Sequence, residues 1–517
     1  MITAQHIESK EQSFKYFLFH NRRNRTILYL AGIAVIIQFA VFKYFYPFAS
    51  YIHDDSFVYI KIAYYNLNID KYMVGYPRFL RLFSVFSTSD TALVGFTYLL
   101  IQSSSIFLLF TLFYFYRPGS LIQKILLVFM VFNPLYLYIA NLVSSDGLFL
   151  ALSLGWFTLL IWTVHRPSKQ IIIAHAILLF IAFTVRYNAL IYPFISAVAF
   201  WLACFQLRWK IIGLGMGVVL CGLFVVYTSY KFNRLTGQWQ YSPFSGWQLA
   251  NNAMYSYRYV DSAERKPVPK KFQTLDNMIR KYFDSSRDVK KHPQEAAIAS
   301  TIYMWTPSLP LWKYQDSVFA KDTITKDFKK WASMGPFFKE YGLHIITKYP
   351  GQFLQHFIWP NAQKYYAPPV EYLGKYNNGF NTTQRIAKAW FNYRDTKMYT
   401  RIKSNENLIL NYYPALSAFT NAVMLCGLVC YVVLQGWKQK GNFRIGVLLA
   451  GIVWLLNAGF TILASSAALR FQSFPLMLTT IFSLFLLEWL WSIAFTKENL
   501  KNEVVNTQAV LPNKAMA

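Results

Sequence analysis

Charge is scarce in this chain, and acidic charge scarcest: 14% of its 517 residues are charged, with 23 Asp and Glu against 51 Lys and Arg. So little charge beside 55% hydrophobic residues and a mean hydropathy of +0.27 excludes a disordered chain and fits an ordinary soluble enzyme poorly. Cysteine is nearly absent. The thiols Cys204, Cys221, Cys426 and Cys430 all lie in apolar runs, so neither a disulfide framework nor a zinc site is expected. Cys426 and Cys430 share a helix face by spacing, as two small hydrophobes would. Gly-x-x-x-x-Gly-Lys and Gly-x-Ser-x-Gly motifs are missing, which speaks against a nucleotide motor and a serine hydrolase. The net charge of +28 comes with no Arg-rich arm, zinc-finger spacing or aromatic RNA-binding signature, so no nucleic-acid partner is expected. An internal repeat is also missing, which argues mildly against the inverted repeats of many transporters.

What the chain has in abundance is long apolar runs, in blocks of roughly 20 residues, the length that crosses a hydrocarbon layer about 30 Å thick. They cover residues 27–45, 92–114, 121–140, 148–164, 171–185, 187–204, 211–227, 412–434, 445–464 and 474–495. An all-α polytopic membrane protein with about ten transmembrane helices is therefore expected. Arg22, Arg23 and Arg25 precede the first run, and bulky aromatics follow it in place of a cleavage site. It reads as a retained anchor with a cytoplasmic amino end. Alternation then puts Arg117/Lys124, Arg166/Lys169, Arg208/Lys210, Lys438/Lys440/Arg444 and the tail residues Lys497 and Lys501 on the cytoplasmic side, as the positive-inside rule asks. Membrane lipids, with their anionic head groups, are expected partners of this charge.

The expected organisation is a cytoplasmic segment 1–25, a seven-helix module 26–230 with a first external loop 46–91, an external domain 231–411, three C-terminal transmembrane helices within 412–496 and a cytoplasmic tail 497–517. In the first external loop Phe57, Ile60, Tyr64 and Leu67 recur at helical spacing, as do Phe79, Leu82, Phe83 and Phe86. Two short amphipathic helices lying in the membrane interface are expected there, with a turn at Gly75-Tyr76-Pro77 between them. The 231–411 stretch carries about two basic residues for each acidic one, and its runs at 272–283 and 337–348 suggest a mostly α domain. It has no catalytic signature of its own, and reads equally as an acceptor-holding cover over a membrane cavity or as a stabilising cap.

The residues that could carry chemistry all map to the external ends of helices. His53, Asp54 and Asp55 follow the first helix; a carboxylate there can serve as a general base, and its ordinary alternative is a solvated helix N-cap. Asp146 follows Ser144 and Ser145, again a pattern that capping alone would explain. Arg186 and Arg470 each interrupt apolar runs, where an arginine often only snorkels. Lys61, Arg78 and Arg81 lie in the first loop beside them. Independent caps need not converge, whereas arginines facing carboxylates suit a site that grips a phosphate and deprotonates an acceptor. His53 has no ligand partner at metal-binding spacing. Two acidic sites could share a divalent metal, but the sequence offers no closed ligand set and no cofactor is required by it.

Several short motifs, in one order and on one side, carry a resemblance: Asp54-Asp55-Ser56-Phe57-Val58-Tyr59, Gly75-Tyr76-Pro77, Asn133-Pro134 with Ser145-Asp146-Gly147-Leu148-Phe149, and Arg186-Tyr187-Asn188. With them the chain resembles the GT-C superfamily of polyprenyl-phosphate-sugar-dependent glycosyltransferases, which includes protein O-mannosyltransferases and the enzymes adding aminoarabinose to lipid A. The resemblance covers most of residues 27–230 and the last helices. It implies an inverting transfer of sugar from a polyprenyl-phosphate donor to a glycan, lipid or protein acceptor on the external side, in a bacterial inner membrane the periplasmic side.

Carried over residue by residue, the resemblance makes Asp54 the general base, with Asp55 and Asp146 orienting the acceptor or assisting. Arg186 and Arg470 would hold the donor phosphate with help from Lys61, Arg78 or Arg81, and His53, Tyr59, Tyr187 and Asn188 would support them. Asp-Asp stands where relatives commonly have Asp-Glu, so the choice between Asp54 and Asp55 stays open. The soluble portion lies between the seventh and eighth helices, where many relatives place it at the carboxyl end, so the acceptor type does not carry over. The rival classes are a multispan transporter or lipid flippase, which predicts ionisable residues buried near helix centres, and a scaffold, which predicts no open cavity beneath the 231–411 domain.

Overall fold

The computed structural model describes residues 13–286, 288–292, 295, 301–439, 441–464 and 467–509, with side chains up to residue 495. Residues 1–12 and 510–517, Lys440 and the side chains of Lys497 and Lys501 therefore lie outside the described residues. Among the described residues every regular element is helical. The β-pairing is limited to isolated bridges of Ser50 with Leu142, Lys375 with Glu406 and Thr382 with Lys397.

The chain is a multi-span helical membrane protein. Among the described residues, eight helices are long and apolar enough to cross a membrane: Arg22–Phe45, Asp90–Tyr116, Ser120–Asn141, Ser145–His165, Leu207–Thr236, Leu408–Val433, Phe443–Ala464 and Leu469–Phe495. The other two expected runs are the shorter apolar helices Lys169–Val185 and Tyr187–Leu202. They are cut short because Arg186 between them is extended, with φ −149° and ψ 147°. The span Ser120–Asn141 is itself broken, since Pro134 has no N–H to continue the helix from Val131. The Asn133 carboxamide oxygen caps the second piece, accepting from Leu135 N at 3.1 Å, and also accepts from the Tyr413 hydroxyl.

The first loop does hold two helices, but they differ in setting from the expectation. Asp55–Tyr64 buries Ser56, Phe57, Tyr59, Ile60, Ile62 and Ala63, so it is embedded in protein instead of lying on a surface. Helix Gly75–Ser84 buries Tyr76, Pro77 and Leu80 and leaves Leu82, Val85 and Phe86 exposed, an apolar edge suited to a membrane interface. Gly75, Tyr76 and Pro77 form the first turn of that helix, not a separate turn. A Cβ at Gly75 would stand 2.5 Å from the Thr184 backbone, so glycine lets this helix start touch helix Lys169–Val185.

Residues 231–411 divide between two hydrophobic cores. Up to Phe357 they build their own around Trp247, Trp331, Phe338 and Tyr341. Leu373, Tyr376, Phe391, Met398 and Leu410 instead join the core of the apolar helices. This second part straps the first loop in place: Asn377 N donates to Ser50 Oγ at 2.9 Å, and Tyr51 N donates to Asn377 Oδ1 at 3.3 Å.

The core of residues 232–357 rests on a close contact between helices Pro243–Tyr257 and Asp327–Lys348, made at glycines. A Cβ at Gly246 would overlap the Gly335 carbonyl, and one at Gly342 would sit 2.6 Å from Leu249 C. Gly246→Ala should therefore force the helices apart and destabilise this part by about 1–3 kcal/mol, read as a lower melting temperature in detergent. At the opposite end of the bundle Glu488, an acid near an expected cytoplasmic end, accepts from Gly119 N at 2.6 Å. It satisfies an orphan donor at the start of helix Ser120–Val131, which accounts for its position.

Candidate active site

The residues singled out by sequence come from four separate places along the chain. The first is the exit from helix Arg22–Phe45. Asp55 N donates to His53 O at 3.1 Å across a single residue, and Asp54 between them has φ 70° and ψ −54°. This is the positive-φ γ-turn, a rare geometry that costs on the order of 1–3 kcal/mol for a residue with a side chain. Asp54 occupies the N-cap position of helix Asp55–Tyr64, yet its carboxylate makes no capping bond. It is exposed on the wall of a cavity and has no hydrogen-bond or ion-pair partner among the described residues.

Asp55 is held from two sides, accepting from the Tyr72 hydroxyl at 2.6 Å and meeting Arg470 Nη2 at 3.4 Å. The second place is the start of helix Ser145–His165. Ser144 supplies the cap there, accepting from Asp146 N at 3.3 Å. That leaves the buried Asp146 carboxylate to accept from Ser144 Oγ at 2.6 Å, from Arg470 Nη1 at 3.2 Å and from Arg186 Nη1. The third place is the extended residue Arg186, whose backbone break turns its side chain out of the helical path. The fourth is the first turn of helix Leu469–Ala509, where Arg470 bridges the two carboxylates contributed by Asp55 and Asp146.

Both guanidinium groups lie on the Phe471 ring, Arg470 at 4.2 Å and Arg186 at 4.5 Å from its centre, and Arg470 also lies 4.8 Å from the Tyr372 ring centre. Stacking fixes both planes, and Arg470 is fixed further by using its two Nη atoms on two different carboxylates, which an ammonium could not do. Their donors are not exhausted: Arg470 Nε is buried without a partner among the described residues. Tyr372 has φ 63°, so beside the arginine stands a second strained residue of the site, after Asp54. Burial pushes the Tyr59 phenol up to about 12, and it shares a hydrogen bond of 3.2 Å with Ser145 Oγ. Burial first, then the Asp55 charge, holds the Tyr72 phenol well above its ordinary range, so it stays a donor.

All of these groups except Ser144 and Asp146, which lie behind the arginines, line one cavity of about 1330 Å³, bounded by helix ends on one side and by the 232–357 part on the other. Its lining includes His53, Asp54, Asp55, Tyr59, Arg186, Tyr187, Asn188 and Arg470. His53 stacks on Phe380 with ring centres 4.7 Å apart, and Tyr187 stacks on Phe244 at 6.2 Å. Lys61, Arg78 and Arg81 do not line it. They brace the fold-back between the two loop helices instead: Lys61 pairs with Asp70 at 2.7 Å, Arg78 donates to Asn68 Oδ1 at 2.7 Å and to Asn66, and Arg81 donates to Ala63 O at 3.0 Å. That fold-back is full of polar groups that need partners, and the nearest cations supply them.

Several chemically notable cavity residues escaped the sequence reading, four of them close to the acidic pair or the arginines. Lys71 and Tyr72 follow Asp70 in the first loop, and Glu371 and Tyr372 come from the strap. The Lys71–Tyr72 pair offered a faint signal as a cation beside an aromatic; Glu371 and Tyr372 offered none. Burial pushes the Glu371 carboxyl above the ordinary glutamate value and the Lys71 ammonium below the ordinary lysine value.

The donor set does not suit a shared divalent metal. Arg470 stands between Asp55 and Asp146, where such an ion would bridge them, and the described residues hold no group of three His, Cys, Asp or Glu with ligand geometry. No family model, curated protein or solved structure matches this chain, so what the site does must be argued from its own geometry.

Proposed function

We propose that this protein is a membrane glycosyltransferase that moves a sugar from a polyprenyl-phosphate donor to an acceptor hydroxyl, inverting the anomeric carbon, on the side of the membrane that carries residues 231–411. The observation that carries this reading is the asymmetry of the acidic pair. Asp55 is locked by Tyr72 and Arg470, whereas Asp54 is unpartnered and held in a strained turn at the cavity wall. Strain maintained at one carboxylate beside a two-arginine cluster is the arrangement of a preorganised base facing an anion site.

In this mechanism Asp54 takes the proton of the acceptor hydroxyl as its oxygen attacks the anomeric carbon. The bond from that carbon to the phosphate oxygen breaks, and polyprenyl phosphate leaves with the electron pair. Arg470 and Arg186 stabilise the charge that grows on it, with Asp55 and Asp146 keeping both planes in place. No leaving-group acid is needed, since phosphate departs as an anion. The ionisable residues sit in the first turns of helices and in the break between two, not at helix centres, which favours this reading over a transporter. The ten-crossing topology and the periplasmic site belong to the same proposal.

The test is to incubate purified protein with a panel of polyprenyl-phosphate sugars and measure release of polyprenyl phosphate; release from none of them rejects the reading. Arg470→Lys should keep a positive charge but be unable to span Asp55 and Asp146. We expect donor retention to weaken by about tenfold or more, read by binding of radiolabelled polyprenyl phosphate. Unchanged retention would remove Arg470 from the donor site.

A further inference from the structure

The far wall of the cavity, made by the 232–357 part and the first loop, has a chemistry that the donor does not use. Lys71 lines it with its ammonium 5.5 Å from the ring centres of both Trp305 and Trp312, and no hydrogen bond or ion pair of that ammonium is formed among the described residues. Lys339, also on the wall, is likewise unpaired among the described residues, while its neighbour Glu340 is engaged by Lys271 at 2.5 Å. The wall therefore presents two cations without a direct partner among the described residues and a spent carboxylate, and the nearby Asp70 and Asp54 charges favour the charged form of Lys71 against its burial. Glu371, on the strap, is pushed above the ordinary glutamate value by burial. Trp312 is fixed by donating to Met304 O at 2.9 Å and by packing on Trp247 with ring centres 5.1 Å apart.

Resting on the glycosyl-transfer reading, we propose that this wall is the acceptor subsite and that the acceptor is an anionic saccharide, with Trp305 and Trp312 taking sugar faces and Lys71 taking an acidic substituent. Flat indoles match the C–H face of a pyranose. A peptide would look for an open sheet edge, and the described residues hold no strand to offer one. An aromatic-walled ammonium is only partly hydrated, so an anion meeting it gains more than it would at the surface.

The experiment uses the full-length protein in nanodiscs and follows tryptophan fluorescence on adding three probes: a neutral hexose oligosaccharide, one of equal length bearing a uronic acid, and a Ser/Thr-containing peptide. The uronate-bearing probe should bind tightest, by about tenfold over the neutral one. Lys71→Met should erase that preference, Lys71→Arg should restore most of it, and Trp305→Ala should weaken both saccharides. Tightest binding by the peptide, or a preference unchanged in Lys71→Met, would overturn the proposal. Retention of polyprenyl phosphate by the wild-type protein is read in parallel: saccharide binding that follows the expected pattern without it supports this subsite while removing the donor assignment.

Discussion

Asp54→Asn is expected to lower sugar transfer by ~100-fold or more while leaving retention of polyprenyl phosphate close to wild type. The carboxamide has nearly the shape of the carboxylate, and asparagine tolerates positive φ better than most residues, so the variant removes the base without rebuilding the turn. Asp55→Asn makes the contrast. Asp55 contacts Arg470 and Tyr72, so its loss should disturb the arginine plane and weaken donor retention as well as turnover. If the two variants have each other's phenotypes, the roles given to the pair are reversed.

A glycine at position 54 separates strain from chemistry. Glycine adopts φ near 70° at little steric cost, so Asp54→Gly should stabilise the protein by about 1 kcal/mol while abolishing transfer. Melting in detergent reads the first effect and polyprenyl phosphate release the second. A less stable glycine variant would mean that the turn carries no strain.

The second large effect is expected at Asp146. Its carboxylate is fully enclosed and carries Arg186 and Arg470 together, so Asp146→Ala leaves two guanidinium groups without their shared counter-charge. Removing one member of a buried ionic network typically costs about 3–5 kcal/mol, because the charges left behind stay desolvated. We expect a large fall in melting temperature and loss of donor retention together. Asp146→Ala combined with Arg470→Leu should recover part of the stability, since one orphaned charge leaves with its partner, but none of the activity. A double variant no more stable than Asp146→Ala would mean that the two side chains are not coupled.

The apolar helices were legible in the sequence because a membrane demands one signal, a long run without charge, and each such run is helical here. Their interruptions were harder to read. Arg186 looked like a residue between two spans, and the structure places it in an extended break that shortens both neighbouring helices. Asp146, Arg186 and Arg470 stood out since each breaks an apolar run, and the fold gathers them with Asp55. Lys61, Arg78 and Arg81 shared that loop and that sign of charge, but local order in sequence could not say that they would be drawn to polar groups at Asp70, Asn66–Asn68 and Ala63. Lys71, Tyr72, Glu371 and Tyr372 reach the cavity only through tertiary folding, the last two on a strap about three hundred residues further along the chain. The strained turn at Asp54 was invisible to composition and spacing, since any residue can be written at a position that only the fold can force to positive φ.

The central claim is that Asp54 works as a base opposite the anion site held by Arg186 and Arg470. Its most direct measurement is a single-turnover experiment on protein in nanodiscs, loaded with a donor that the panel finds active and mixed with acceptor, following polyprenyl phosphate release in wild type and Asp54→Asn. The account predicts rapid release with inverted product in wild type and release slowed by ~100-fold or more in the variant, with equal loading of donor in both. Equal rates in the two proteins at equal loading would contradict it.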